Sequence, residues 1–281
     1  MADFELIAPC HFGMEAVLKR EIQKLGYDIL KVEDGKVTFA GDEAAIVRAN
    51  IFLRTTERIL IKIGSFKATT FDELFEGTKA LPWEQFIPED GKFWVAKATS
   101  IKSKLFSPSD IQSIMKKAMV DRLKKKYNVN WFPEDGASFP LRVTIMKDVV
   151  TVGLDTSGDS LHKRGYRQAT VKAPITETLA AALIMLTPWK WDRILVDPFC
   201  GSGTFPIEAA MIGANIAPGM NRSFSAEDWM HLIPKKHGMT PQTRLKTRSA
   251  GTLKWTFRAM TLIPEPLRLL WKMQDSPRLI I

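Results

Sequence analysis

VDPFCGSGTFPIEAA, Val196 to Ala210, decides how this chain reads. Arg193–Val196 is apolar enough for a short buried strand ending at Asp197, and Phe205–Ile212 reads as a helix. A tight loop with Gly201 and Gly203 lies between them. Strand, glycine loop and helix in that order open a doubly wound α/β sheet, which binds ligands at the carboxyl edge of its strands. The glycines let the backbone turn sharply and let a ligand approach with no Cβ in the way. The helix aims its amino end at the same place, which favours an anion. Asp197 adds a negative charge suited to a cationic or amine-bearing ligand.

Three kinds of nucleotide loop compete for this string. A phosphate-binding P-loop needs a lysine after its last glycine, and Thr204 follows Gly203 here. A dinucleotide fingerprint needs a third glycine, where Pro206 stands. An S-adenosyl-L-methionine loop, with an acid at the strand end and Gly-x-Gly after it, fits as it stands. The bland alternative is an ordinary glycine-rich turn, which the full string DPFCGSGT makes the weaker reading. Cys200 as a nucleophile is weaker than Cys200 as a small residue that fits the turn.

Upstream of the loop, Pro174–Leu186 is an alanine- and leucine-rich helix, and His162–Arg167 is a short basic–aromatic loop. Residues 4–65 read strand–helix–strand–strand–helix–strand, a ferredoxin-like order. Phe4–Ala8 is the first strand; a helix follows with Met14, Val17, Leu18, Ile22 and Leu25 at helical spacing and Gly26 at its end. Ile29–Val32 and Lys36–Phe39 flank a Glu33-Asp34-Gly35 turn; Asp42–Leu53 is helical and Arg58–Ser65 alternates like a strand. Residues 66–157 form a second α/β stretch. It contains a helix at Phe71–Lys79, a strand at Lys92–Ser100, a helix opened by Ser107 as capping residue, and strands at Leu141–Met146 and Val149–Leu154. Thr156–Ser160 reads as a linker.

Composition narrows the class. No apolar run reaches the roughly 18 residues of a membrane span. Two cysteines make no disulfide framework, and the opening residues lack a signal-peptide profile, so a cytoplasmic setting is expected. His11, His162, His231 and His237 show no metal-ligand spacing, so no metal site is expected. The net charge of +9 is uneven: residues 231–281 hold ten Lys/Arg against two Asp/Glu, while residues 1–230 are nearly balanced. Global basicity is therefore no argument for nucleic acid along the rest of the chain. The face Lys116, Lys117, Arg122, Lys124, Lys125 and Lys126, and the loop with Lys102 and Lys104, suit phosphates and a solvated surface equally. Trp83, Trp94 and Trp189 read as packing residues.

These motifs together resemble the THUMP-domain RNA methyltransferases, above all the bacterial 23S rRNA guanine-N2 enzymes. The resemblance rests on DPFCGSGTFPIEAA, LHKRGYR, APITETLAAALIMLTPW and the opening ELIAPCHFGMEAVLKREIQKLGY, and covers about residues 4–229. It implies an α/β chain: a ferredoxin-like amino domain (1–65), a THUMP RNA-binding module (66–157), and the start of a Rossmann-like class I methyltransferase domain (161–229). It implies S-adenosyl-L-methionine as cofactor. Asp197, Pro198, Phe199, Cys200, Gly201, Gly203 and Thr204 would wrap it, with Arg164, Gly165, Tyr166, Arg167, Glu177 and Thr178 across it. It implies structured, ribosomal RNA as partner, reached by Lys102, Lys104, Lys116, Lys117, Arg122, Lys124 and Arg167.

The sequence departs from the family in two ways. No acid-ended strand for the cofactor ribose follows, and no Pro-Pro dipeptide occurs anywhere, so the Asn/Asp-Pro-Pro-Tyr motif that holds the target amine is missing and no catalytic residue is assigned. Residues 230–281 are basic and lack strand–helix alternation, as a frame-shifted end would; a genuine basic tail is the alternative. Three functions follow: an rRNA guanine-N2 methyltransferase whose present chain is inactive alone, a non-enzymatic RNA-binding fragment, or a DNA amine methyltransferase. The amino half argues against the last.

Overall fold

The computed structural model of the chain describes residues 4–167 and 174–233. The first unit runs β1 (Phe4–Pro9), α1 (Glu15–Lys24), β2 (Ile29–Glu33), β3 (Lys36–Gly41), α2 (Glu43–Phe52) and β4 (Leu60–Lys67). Val17, Leu18 and Ile22, one face of α1, are buried, as their spacing requires. Gly26 and Gly35 take left-handed φ values of 90° and 74°, which end α1 and close the β2–β3 turn. Asp42 caps α2, its Oδ1 accepting from the Ala45 amide at 2.9 Å.

The second unit runs α3 (Phe71–Ala80), β5 (Lys92–Ile101), α4 (Pro108–Tyr127), β6 (Ser138–Met146) and β7 (Val149–Asp155). Its strands do not form a separate sheet. The seven strands make one sheet in the order β2-β3-β1-β4-β7-β6-β5, with only the β5–β6 pair parallel. The join is β4, whose residues Leu60–Lys67 pair antiparallel with Asp155–Val149 of β7. The boundary expected at residue 65 therefore falls inside a central strand, and one hydrophobic cluster runs through both units.

Four expectations need correcting. Thr156 and Ser157 are fully buried rather than in a linker. Asn50 of α2 donates to Thr156 Oγ1 at 2.8 Å and accepts from Ser157 Oγ at 2.6 Å, and the Ile59 amide donates to Ser157 Oγ at 2.9 Å. Small polar residues suit this joint because their hydroxyls satisfy buried backbone. Ser107 precedes α4 without capping it, since its hydroxyl meets Ser109 Oγ at 3.2 Å. Of the tryptophans read as packing, only Trp83 is buried, donating to the Thr78 carbonyl at 2.7 Å. Trp94 points outward from edge strand β5, and Trp189 is half-buried. Lastly, Arg193–Val196 is not a buried strand: Ile194 is 81% and Val196 60% exposed, because no strand lies beside it among the described residues.

The remaining described elements are α5 (Glu177–Leu186), α6 (Thr204–Gly213) and a 3-10 turn at Ser225–Asp228. Helices α5 and α6 pack on each other. After α6 the chain turns back onto both amino units. The Gly219 amide donates to the Ile51 carbonyl at 2.9 Å, and an added Cβ would lie 2.7 Å from Ile51 Cα. Trp229 is fully buried, stacked on Phe139 with centroids 5.1 Å apart, its Nε1 donating to Ser138 O at 3.0 Å. Arg222 donates to the carbonyls of Asp159 and Ser160, both at 2.6 Å. The basic stretch from residue 234 onward lies outside the described residues.

Candidate functional site

The glycine loop has the local geometry its sequence dictates. Asp197 Oδ1 accepts from the Phe199 amide at 3.1 Å, and the Gly203 amide donates back to Cys200 O at 2.7 Å. Gly201 and Gly203 have φ values of 53° and 73°, and Gly203 is the residue that starts α6. Those angles, not crowding, demand glycine: an added Cβ would meet nothing nearer than 3.9 Å at Gly201 and 3.8 Å at Gly203. The space beside the loop is therefore open to a ligand. Cys200 serves the turn through its carbonyl. Pro198 and Phe199 are exposed, and Thr204 is buried at the first position of α6.

Arg167 braces this loop. Its guanidinium donates to Glu177 Oε1 at 2.8 Å, Thr204 Oγ1 at 3.1 Å, Ser202 Oγ at 3.3 Å and Ile175 O at 3.3 Å. One side chain thus ties the amino ends of α5 and α6 to the segment before them. The sequence puts Arg167 both in the stretch across the cofactor and among RNA contacts; its guanidinium is turned inward, onto the loop. Ser202 belongs to the same cluster, and the sequence reading missed it.

The neighbouring residues divide between two other clusters. Arg164 is buried, donates to Leu161 O at 2.7 Å and to Arg54 O, and lies 3.5 Å from Glu208 of α6. The Tyr166 hydroxyl donates to Glu208 Oε1 at 3.0 Å. Burial pushes the Glu208 carboxyl up, and burial with Glu208 nearby pushes the Tyr166 hydroxyl above its ordinary range. Arg54 reaches across to the carbonyls of Ile216 (2.7 Å) and Met211 (3.4 Å), and Glu21 accepts from the Arg54 and Thr55 amides at 3.0 and 3.1 Å. Gly165 turns this segment with φ 89°. Thr178 is bonded to Glu57, whose carboxylate also accepts from Ser160 Oγ at 2.6 Å and His162 Nδ1 at 3.1 Å, with His11 Nε2 at 3.5 Å. Burial alone would raise the Glu57 carboxyl, but the bonds from His162, Ser160 and Thr178 outweigh it and hold it at about 2. A lone acid in the apolar helix TFPIEAAMIG could have flagged Glu208; nothing local flags Arg54, Glu57 or Arg222.

The basic residues expected at RNA also separate. Lys116 pairs with Glu134 and sits 3.6 Å over the Phe93 ring, and Arg122 grips both oxygens of Glu84 at 2.7 and 3.2 Å. Both are committed to holding α4 in place. Lys102, Lys104, Lys117 and Lys124 are exposed. Among the described residues no group of three or more His, Cys, Asp or Glu could hold a metal, and no helix is long and apolar enough to cross a membrane. Burial, then Glu15 nearby, pushes the Cys10 thiol up to about 12, away from the thiolate form.

Comparison with known proteins places three domain families along the chain. Residues 5–60 match the RlmL ferredoxin-like domain, residues 68–155 the THUMP domain, and residues 164–267 the RMKL-like methyltransferase domain. The last match runs through Trp229 into the basic stretch. A Bacillus subtilis (strain 168) protein named "Putative RNA methyltransferase YpsC" is 54% identical over 231 residues, 82% of this chain and 60% of that protein. The chain thus spans three-fifths of the length of that curated relative. The crystal structure of "a possible methylase from Clostridium difficile 630" is 50% identical, with TM-score 0.87 over 92% of this chain and 68% of that one. The structure described as "SMU.472, a putative methyltransferase complexed with SAH" is 45% identical, with TM-score 0.78 over 88% of this chain and 64% of that one.

Proposed function

The chain belongs to the THUMP-domain methyltransferases that begin with an RlmL-type ferredoxin-like domain, and from that membership we propose that it is built to transfer a methyl group from S-adenosyl-L-methionine to RNA. The observation that carries the reading is the open, left-handed Gly201–Gly203 loop at the amino end of α6, braced by Arg167. When bound, S-adenosyl-L-methionine supplies an electrophilic sulfonium methyl. The residues present suit it: the amino end of α6 offers N–H groups to a carboxylate, Asp197 supplies charge for an ammonium, and the two glycines leave room for both. Pro198, Phe199, Cys200 and Thr204 complete the wrap. Arg164, Gly165, Tyr166, Glu177 and Thr178 act behind it, by fixing the loop's supports. The co-crystallised SAH of the SMU.472 relative supports the same assignment.

The target of this reading is guanine N2 of 23S ribosomal RNA, in the cytoplasm, with the amino half holding structured RNA. This polypeptide alone does not turn over, because the Asn/Asp-Pro-Pro-Tyr residues that position the amine are not in it. The test is a chimera whose residues 1–229 are continued by the matching carboxyl part of the Bacillus subtilis relative. Incubated with radiolabelled cofactor and 23S rRNA, it should yield N2-methylguanosine on nuclease digestion, while the 281-residue chain yields none. Label in another nucleoside, or in DNA only, overturns the target; turnover by the unextended chain overturns the account of its inactivity.

A further inference from the structure

Trp131 is the most exposed tryptophan among the described residues, with 80% of its surface in water. Its loop is nevertheless pinned on both sides. Asn128 ends α4 in the left-handed conformation, φ 55°, and the Val129 amide donates to Lys124 O at 3.2 Å. Phe132, the next residue, is buried edge-to-face against Phe93 with centroids 5.7 Å apart. Glu134 pairs with Lys116, and the Gly136 amide donates to Asp90 O at 2.9 Å. A rigid loop therefore holds a large aromatic face out in solvent, where an indole gains nothing from folding.

The exposed charge at the adjoining end of α4 is basic, while Asp135 on the loop itself is an exposed acid. Lys117, Lys124, Lys125 and Lys126 are exposed and make no salt bridge among the described residues. Lys117 and Lys124 are seven residues apart, two turns along one face of α4, roughly 10 Å. Trp131 follows the turn that closes on Lys124 O, its Cα roughly 7–8 Å at most from that of Val129. The nearby acids are mostly engaged: Asp121 by Lys79, Glu84 by Arg122, Glu134 by Lys116. Glu89 and Asp90 lie on the Tyr127 side of the helix. A protein partner seated on an indole would need a broad apolar surround; among residues 128–133 Trp131 stands with exposed Asn128 and Asn130, Phe132 is buried, and Pro133 is the one other exposed apolar residue.

We propose that Trp131, with Lys117 and Lys124, is a stacking platform for an unpaired base of the RNA substrate, the lysines taking the flanking phosphates. This rests on the RNA reading above and adds that the contact is to an unpaired base, at the carboxyl end of α4. The test measures binding of the full chain to a stem–loop RNA and to a blunt duplex of equal length by fluorescence anisotropy. Trp131→Ala should weaken stem–loop binding roughly 10-fold and leave the duplex unchanged, and Trp131→Phe should recover most of the loss. Lys117→Glu with Lys124→Glu should weaken both RNAs and reduce the salt dependence by about two charges. If Trp131→Ala binds the stem–loop like the unmodified chain, or loses the duplex equally, the platform is refuted while the RNA reading stands. If the unmodified chain binds neither RNA, both fall.

Discussion

Replacing Glu57 by glutamine should remove a measurable part of the stability of this chain, in full above about pH 4.5 and progressively less as pH falls towards 2. The carboxylate accepts from Ser160, His162 and Thr178, which come from the joint after β7 and from α5. Against burial, these bonds hold its carboxyl at about 2 rather than 4.5. That difference corresponds to roughly 3 kcal/mol. The side chain is 26% exposed, so solvent screening leaves about 1–2 kcal/mol. The sign follows from linkage: a carboxyl depressed on folding stabilises fully above its unfolded value, and the contribution is lost as pH falls from about 4.5 towards 2. Other carboxylates shape the acid limb too, among them Glu84 and Asp159, so the informative quantity is the gap between the two proteins. Thermal unfolding followed by circular dichroism should show Glu57→Gln less stable at pH 7, with the gap closing by about pH 2–3. A gap that stays constant across that window, or a more stable variant at pH 7, refutes the reasoning.

Three further experiments test the packing around the loop and the exposed segment before it. Trp229→Ala empties a buried site against Phe139 and should cost about 3–5 kcal/mol in urea unfolding, while Trp229→Phe should cost clearly less; equal losses would contradict the stacked arrangement. Gly219→Ala places a methyl 2.7 Å from Ile51 Cα and 2.8 Å from Asn50 O, so about 1–3 kcal/mol should be lost, and a neutral result would contradict that backbone contact. Ile194→Lys with Val196→Lys replaces exposed apolar side chains on a segment that pairs with no strand among the described residues. Light scattering should show less self-association and unchanged melting; a melting loss above about 2 kcal/mol would mean that the segment is packed after all.

Local physics made much of this molecule readable in advance. The elements of the first unit follow from spacings a few residues long, and the left-handed glycines of the loop follow from a turn that L-residues resist. What was not readable depends on distant partners. Arg58–Ser65 announces a strand, yet nothing in it says that β7 will pair along its outer edge and fuse two units into one sheet. Thr156-Ser157 looks like a linker because its satisfying group, Asn50, stands 106 and 107 positions away. Lys116 and Arg122 look like free cations until Glu134 and Glu84 are brought to them. The reverse error occurs at Arg193–Val196, where an apolar pattern suggests a strand that has nothing to pair with among the described residues.

The same long-range contacts explain why the glycine loop is held where it is. Helix α6 carries the loop at its amino end, and Arg54 of the first unit donates to carbonyls at and just beyond its carboxyl end. There the guanidinium meets the negative end of the helix dipole. Midway along α6, Glu208 is fixed by Arg164 and Tyr166, and Arg164 also donates back to Arg54 O. Burial pushes the carboxyls of Glu21 and Glu208 up and Arg54 down, so keeping these groups charged and buried opposes stability. Well-packed apolar side chains would fill the volume at lower cost, but they would not fix the rotation of α6 about its own axis. Directional bonds from Arg54 and Tyr166 do, with the Arg164 charge 3.5 Å from Glu208 beside them. The amino half therefore sets the direction in which Gly203 and Thr204 present their backbone, and the ferredoxin-like unit is as much a part of the loop's support as Arg167 is.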